Sequence, residues 1–136
     1  MTIDESISAH LLADATITAL VGARIYNGPR EQGGSLPAIS FDEISGESEQ
    51  EVTGDAVGLA SSLYQFDCYA ATTKAAAAVR EVLRLSLQGH TAGSAMGAGV
   101  RVYGCWVEGK SGGYDPDTGD KVRSIDFSIE FNETTS

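Results

Sequence analysis

The feature that most restricts the fold is a strict alternation of apolar and polar residues near the end of the chain. Between Val122 and Asn132, every second residue from position 125 is large and apolar: Ile125, Phe127, Ile129 and Phe131. A period of two places these side chains on one face of an extended strand. One face of the resulting sheet must therefore be buried, which requires a second layer to cover it.

Four further segments have the patterns of strands: residues 24–27, 38–44, 62–70 and 100–108. In the second of these, Ile39 and Phe41 alternate with polar residues, as expected for a half-buried strand. In the last, alternation predicts Cys105 on one face, with Val102 and Trp106 on the other. The sequence therefore predicts a sheet of four to five strands.

Two segments have a helical period instead. Residues 3–20 carry an apolar stripe at spacings of three and four, and Gly22 follows as an end signal. The second helix is predicted after the caps Thr72 and Thr73 and is rich in alanine at its start. The order of elements predicts an α+β fold, in which two helices pack on one face of a mostly antiparallel sheet.

The length of 136 residues is that of one domain, and we expect residues 1–136 to form it. Three segments lack a sustained period and are interpreted as irregular: a long acidic loop at 45–61, a projecting hairpin loop at 109–120, and a polar tail at 132–136. Loops of such length in a small domain are usually functional, so the first two are candidate contact regions.

The charge excludes one class of function. The chain has 19 acidic and 9 basic residues, a net charge of −10, whereas proteins that wrap nucleic acid need clustered Lys and Arg. Cys68 and Cys105 lie within apolar runs and are predicted to be buried, reduced thiols. No apolar run approaches the length of a membrane span and the start does not resemble a signal peptide, so we expect a soluble intracellular protein without a membrane partner.

Residues 104–111 read GCWVEGKS and match the G-x-x-x-x-G-K-[ST] pattern of phosphate-binding loops. A working loop of this kind leads directly into a helix, whose first N–H groups bind the phosphates. Here the strand alternation continues into the motif, and Gly112, Gly113 and Pro116 follow it. The context favours a chance match, and a small nucleotide- or ligand-binding module remains the alternative function.

No arrangement of residues indicates catalysis or a cofactor. Residues 115–120, DPDTGD, begin like a calcium loop, but the sixth position is not Gly and Asp126 stands where a Glu is needed. His10 and His90 have no neighbouring nucleophile or carboxylate in the sequence. We predict no catalytic, cofactor-binding or metal site. A cleft of paired carboxylates that acts on a basic partner stays open, since sequence cannot display one.

Taken in order, several segments resemble the tail-completion or tail-terminator proteins of long-tailed bacteriophages and gene-transfer particles. The resemblance rests on ALVGARIY at 19–26, LPAI at 36–39, YQFDCYA at 64–70 and RSIDFSI at 123–129. It spans about residues 8–131, with the first two segments at this spacing as its strongest part. The glycine-rich stretch 89–99 departs from the pattern.

The resemblance implies a homohexameric ring that stacks on the tail-tube protein and stops its growth. The opposite side of the ring is expected to receive a head–tail connector or stopper protein, and DNA passes through the lumen as transient cargo. The protein is then a structural, non-enzymatic component of the virion at the head–tail junction, present in the host cytoplasm during assembly.

Interface residues are expected in three places: the motif after the first helix, the 45–61 loop and the 109–120 hairpin. The candidates are Arg24, Tyr26, Glu47, Glu49, Glu51, Asp55, Lys110, Tyr114, Asp115 and Asp117.

Overall fold

The structure, a computed structural model, describes residues 3–28, 35–50, 56–88, 94–95, 101–114 and 120–132. Within them the elements follow in this order: α1 Ile3–Ala13, α2 Ala15–Val21, β1 Ile25–Asn27, β2 Ala38–Gln50, β3 Ala56–Ala70, α3 Thr73–Gln88, β4 Ser94–Ala95, β5 Arg101–Tyr114 and β6 Lys121–Asn132.

The described strands form one sheet in the order β1-β2-β3-β6-β5-β4. Only β1 and β2 pair in parallel, and the other neighbours are antiparallel. The predicted α+β fold with a mostly antiparallel sheet is confirmed. The sheet has one strand more than the four to five expected, because the two-residue β4 is too short to show a period in the sequence.

The predicted helix at 3–20 is divided into α1 and α2 at Asp14. The backbone of Asp14 is extended, and its side-chain oxygen accepts a hydrogen bond from the backbone N–H of Thr16 at 2.9 Å. This is the arrangement of a helix N-cap, so Asp14 begins a new helix. Gly22 ends α2 as predicted, with a φ of 60° and its N–H bonded to the carbonyl of Thr18.

Helix α3 follows the prediction closely. The Thr72 hydroxyl accepts a hydrogen bond from the backbone N–H of Ala75 at 3.1 Å, which caps the start of the helix. Its buried residues lie at helical spacing: Ala76, Val79, Leu83 and Leu87. None of the helices in the described ranges is long and apolar enough to cross a membrane.

The core lies between the sheet and the helices. Four aromatic residues from three neighbouring strands form its centre, and Phe66 stacks on Phe41 at 5.5 Å and meets Phe127 edge-on at 5.8 Å. The helices cover this cluster with fully buried side chains such as Ile7, Ile17 and Leu83. From Ser62 in β3 and from Ile125 in β6, every second residue is therefore buried on the core side, as the alternation predicted.

Both predicted loops are largely strands. β2 runs to Gln50 and β3 begins at Ala56, so most of the 45–61 loop is a β-hairpin. Similarly, β5 runs to Tyr114 and β6 begins at Lys121. These stretches pair with a neighbouring strand through backbone hydrogen bonds, which do not require alternating side chains. The prediction of irregular structure was wrong there because it relied on side-chain period alone.

The faces of β5 also differ from the prediction at one residue. The pairing register with β6 shifts between Val102 and Gly104. Since one extra residue reverses the alternation, Val102 lies on the same buried face as Cys105. Trp106 is on the opposite face from Cys105, as predicted.

Candidate assembly interface

The two long hairpins of the sheet point in opposite directions. The β2–β3 hairpin extends to the pair Gln50–Ala56. The β5–β6 hairpin closes beyond the pair Tyr114–Lys121, and Lys121 lies opposite Ala70, the last residue of β3. Because β3 starts at one tip and ends beside the other, the two tips lie at opposite ends of the sheet. We call them the first tip (residues 48–58) and the second tip (residues 113–122).

The acidic candidates of the 45–61 segment lie at or beside the first tip. Glu47 pairs with Ser61, and Glu49 lies where the register of the hairpin shifts. Only the backbone of these two glutamates is described. Glu51 and Asp55 lie outside the described residues.

The second tip presents an aromatic side chain. Tyr114 is 66% exposed, and the Nζ atom of Lys121 lies 5.9 Å from the centre of its ring. An ammonium group at this distance from an aromatic ring is a cation–π contact, which orders an otherwise free surface side chain. Asp115 and Asp117 lie outside the described residues.

Lys110 does not belong to either tip. It pairs with Ile125 in the middle of the sheet, on the side that carries α3. The pKa of the Glu81 carboxyl on α3 is lowered, mainly by its hydrogen bond with Arg84 and to a smaller extent by the charge of Lys110. Lys110 is therefore a surface cation beside α3.

Arg24 has contacts within its own chain. Its Nε donates a hydrogen bond to the carbonyl of Pro37 at 2.7 Å, and its carbonyl accepts one from the N–H of Ile39 at 3.0 Å. These bonds hold β1 against the start of β2, after the cis Leu36–Pro37 peptide. Tyr26 is half-buried in β1, opposite Ser40. The segment ALVGARIY at 19–26, which suggested Arg24 and Tyr26 as interface residues, thus also joins the edge strand β1 to the sheet.

The GCWVEGKS segment is strand throughout. Residues 104–111 lie within β5, and Gly109, Lys110 and Ser111 pair with residues 126 to 124 of β6. The described chain continues as strand to Tyr114, so no helix starts after the motif. A phosphate-binding loop needs converging N–H groups at a helix start, and this segment has neither. The geometry agrees with a chance match.

The sequence did not predict that the polar residues of several strands form one continuous surface, on the face of the sheet opposite the helices. We call it the open face, and along the middle strands it carries small, polar and acidic residues: Ser40, Asp42, Gln65, Asp67, Ser124, Asp126, Ser128 and Glu130. Trp106 lies on it, half-exposed. Alternation along each strand places Asp67 opposite Phe66 and Asp126 opposite Phe127, on the polar sides of two separate segments of the sequence. The pairing of β3 with β6, which brings them together, has no signal in the sequence.

The buried ionisable groups have structural roles. Burial raises the pKa of the Cys68 thiol far above its usual range and that of Cys105 to about 12, so both stay protonated and unreactive at neutral pH. Both cysteines are free and buried, as predicted. The Tyr64 hydroxyl donates a hydrogen bond to Asp4, and burial raises its pKa. Within the described ranges, no cluster of His, Cys, Asp and Glu is arranged to hold a metal ion.

Comparison with known proteins agrees with the resemblance seen in the sequence. Residues 5–131 match the family model described as "Tail completion protein gp17". Among solved structures, the fold is similar to a chain of the "Virion of native gene transfer agent (GTA) particle", with a TM-score of 0.74 and 21% sequence identity. The match covers 96% of this chain and 94% of the other. A search of curated protein sequences gave no significant match.

Proposed function

Because the chain belongs to the tail completion protein gp17 family, a family of structural tail proteins, we propose that it forms a homohexameric ring that caps the tail tube. The ring ends the growth of the tube and joins the tail to a head–tail connector or stopper protein. DNA passes through the lumen as transient cargo. The protein assembles in the host cytoplasm and stays in the virion at the head–tail junction. The family match over residues 5–131 is the observation that carries this proposal.

The placement of the hairpins supports a protein with two partners. A ring between tube and connector needs one contact region on each side, and the two tips lie at opposite ends of the sheet. Backbone pairing orders the two hairpins as far as the pairs Gln50–Ala56 and Tyr114–Lys121, so these ends of the strands can meet a partner without a large ordering cost. We therefore propose that one tip contacts the tail-tube protein and the other the connector or stopper.

The charge supports passage of DNA. Six copies at a net charge of −10 carry about −60, and this excess repels the phosphate backbone. Repulsion keeps DNA from adhering to the wall of the ring. A nucleic-acid-binding protein has the opposite charge balance.

The proposal is tested by mixing the purified protein with tail-tube protein and imaging the product. We expect six-membered rings at the ends of tubes of defined length. Tubes that continue to grow with the protein present, or the protein bound along their sides, contradict the capping role. Nucleotide addition is not expected to change the melting temperature, in the wild type or in Lys110→Ala.

A pair of deletions separates the two ends. Removal of residues 47–58 leaves residues 59–61 to connect Gly46 with Ser62, which pair in the intact hairpin. Removal of residues 115–118 shortens the segment that connects β5 with β6 in the sequence. We expect both variants to stay folded, because neither deletion removes a residue of the described core. One should fail to bind tubes, and the other should cap tubes that do not join heads. If both variants mature tails normally, the tips are not interfaces.

A further inference from the structure

The open face carries uncompensated negative charge. Four carboxylates lie on it among the described side chains, Asp42, Asp67, Asp126 and Glu130, and no cation among those side chains forms an ion pair with them. Asp67 accepts hydrogen bonds from the Ser124 hydroxyl at 2.5 Å and from the Gln65 amide at 3.3 Å. These neutral donors orient the carboxylate without cancelling its charge.

The surface around α3 has the opposite charge. Two carboxylates belong to it: Glu81 on the helix, and Asp14, whose side chain is hydrogen-bonded to Ser86 beside Leu85. Four cations lie on or beside the helix: Lys74, Arg80, Arg84 and Lys110. Arg84 pairs with Glu81, whereas the Nη1 of Arg80 donates to the carbonyls of Ser111 and Ser124 at 3.2 and 3.5 Å. We call this the helix surface. It is net positive in a chain whose total charge is −10.

Each of the two surfaces also exposes a large apolar side chain near its charges. Trp106 is 50% exposed, and it pairs with Ser128, which lies between Asp126 and Glu130 on β6. On the helix surface, Leu85 is 60% exposed and follows Arg84 directly. Exposed aromatic and aliphatic side chains surrounded by charge are typical of the centres of protein interfaces.

From this complementarity we propose that the helix surface of one subunit docks on the open face of the next subunit. The proposal rests on the proposed ring and names its subunit contact. Because the two surfaces differ, each subunit contacts one neighbour through its helix surface and the other neighbour through its open face. Head-to-tail contacts of this kind form a closed ring when the rotation from one subunit to the next divides a full turn into equal steps. The open face favours a second copy over DNA as its occupant, because its four carboxylates repel phosphates and attract the cations of the helix surface.

Charge reversal on each surface tests the contact. The first variant carries Asp42→Lys and Glu130→Lys on the open face, and the second carries Lys74→Glu and Lys110→Glu on the helix surface. Each is expected to weaken ring assembly at least tenfold, measured by light scattering over a concentration series in the presence of tail-tube protein. Glu133→Lys with Thr134→Lys, at the end of the chain, changes the net charge to a similar extent and is expected to assemble like the wild type.

Mixing the two variants gives the most specific result. In an alternating ring, half of the contacts are those of the wild type, and the other half place the introduced lysines against the introduced glutamates. An equimolar mixture should therefore regain assembly. A protein with all four substitutions should also assemble by itself. Suppose that each two-residue variant fails to form rings, and that neither the equimolar mixture nor the protein with all four substitutions restores them. The substituted charges then do not face each other, and the docking proposal is wrong.

The single tryptophan supplies an independent readout. Docking on the open face covers Trp106, so its emission should shift to the blue in wild-type rings relative to the unassembled charge-reversal variants. Rings that form with unchanged emission, or variants that assemble normally, overturn the docking proposal and leave the ring itself intact. If the wild type forms no rings with tail-tube protein, the proposed function fails first.

Discussion

The two faces of the same strands have opposite properties, although their residues alternate one by one. Phe66 is fully buried against Phe41 and Phe127, whereas the next residue, Asp67, lies on the open face beside Asp126. The aromatic face holds the fold together through buried area. The acidic face brings carboxylates together and contributes repulsion to the isolated subunit. A sheet can tolerate such a face because its stability comes from the other side.

The sharpest test of this difference removes the largest contact of the covered face. Phe66→Ala deletes a ring that touches three aromatic neighbours, and we expect a loss of about 3–5 kcal/mol in the free energy of unfolding. Denaturant unfolding measures it. Ser128→Ala, on the open face of the adjacent strand, serves as control and should change stability by less than about 0.5 kcal/mol. Similar losses for both variants would remove the contrast between the faces.

A smaller loss of unfolding free energy is expected at Gly104, where the side chain of Trp106 covers the backbone on the open face. A β-carbon at Gly104 would lie 2.2 Å from the ring of Trp106, so Gly104→Ala must displace the indole. We expect a loss of about 1–3 kcal/mol together with a change in tryptophan emission. Gly113→Ala is the matched control in the same strand, because its added carbon has no neighbour within 4 Å. Unchanged emission in Gly104→Ala would mean that the ring does not rest there.

The smallest effect concerns the repulsion between carboxylates. Burial, and secondly the charge of Asp67, raise the pKa of Asp126, so the charged form is disfavoured in the folded state. Asp126→Asn should therefore raise the free energy of unfolding at pH 7, by less than about 0.5 kcal/mol because water still reaches the half-buried carboxyl and screens its charge. Wild type and variant should converge as the pH falls through the raised pKa and then below the ordinary value of about 3.8, because below that value Asp126 is protonated in both states.

An unchanged or lower stability of Asp126→Asn at pH 7 would contradict repulsion on the open face. The measurement is made on the unassembled protein, since the ring contact proposed for this face works in the opposite direction. A variant that is more stable as a monomer and weaker in assembly would show a surface kept for binding at a cost in stability.

Several local features were predictable because their causes are local. Thr72 caps α3 through a hydrogen bond to Ala75, and Gly22 ends α2 with a positive φ that side chains disfavour. The break at Asp14 was missed although its signal was present, since an Asp within a helical stripe can start a new helix as easily as continue one. The apolar stripe continues from α1 into α2 at spacings of three and four, so the stripe gives no separate sign that Asp14 is the N-cap of α2.

The extended hairpins were less predictable. Residues 45–50 and 109–114 are strands because a neighbouring strand pairs with their backbone, and their own side chains carry little period. The shift in β5 that returns Val102 to the core likewise depends on its alignment with β6. Among the predicted interface residues, the structure separates the two hairpin tips from Lys110 and gives Arg24 a role within the chain.

By itself, the sequence determined the two-layer α+β architecture, since alternating strands and striped helices each leave an apolar face that must be covered. It also determined the acidic charge and, through its ordered motifs, the resemblance to tail-completion proteins. Only the tertiary structure decided which strands are neighbours in the sheet. The order of the strands in turn determines which side chains lie together on each surface. The pairing of β3 with β6 joins Asp67 and Asp126 in one acidic face, and the direction of β3 places the two tips at opposite ends of the sheet. Such pairings connect residues far apart in the chain, and no local pattern records them.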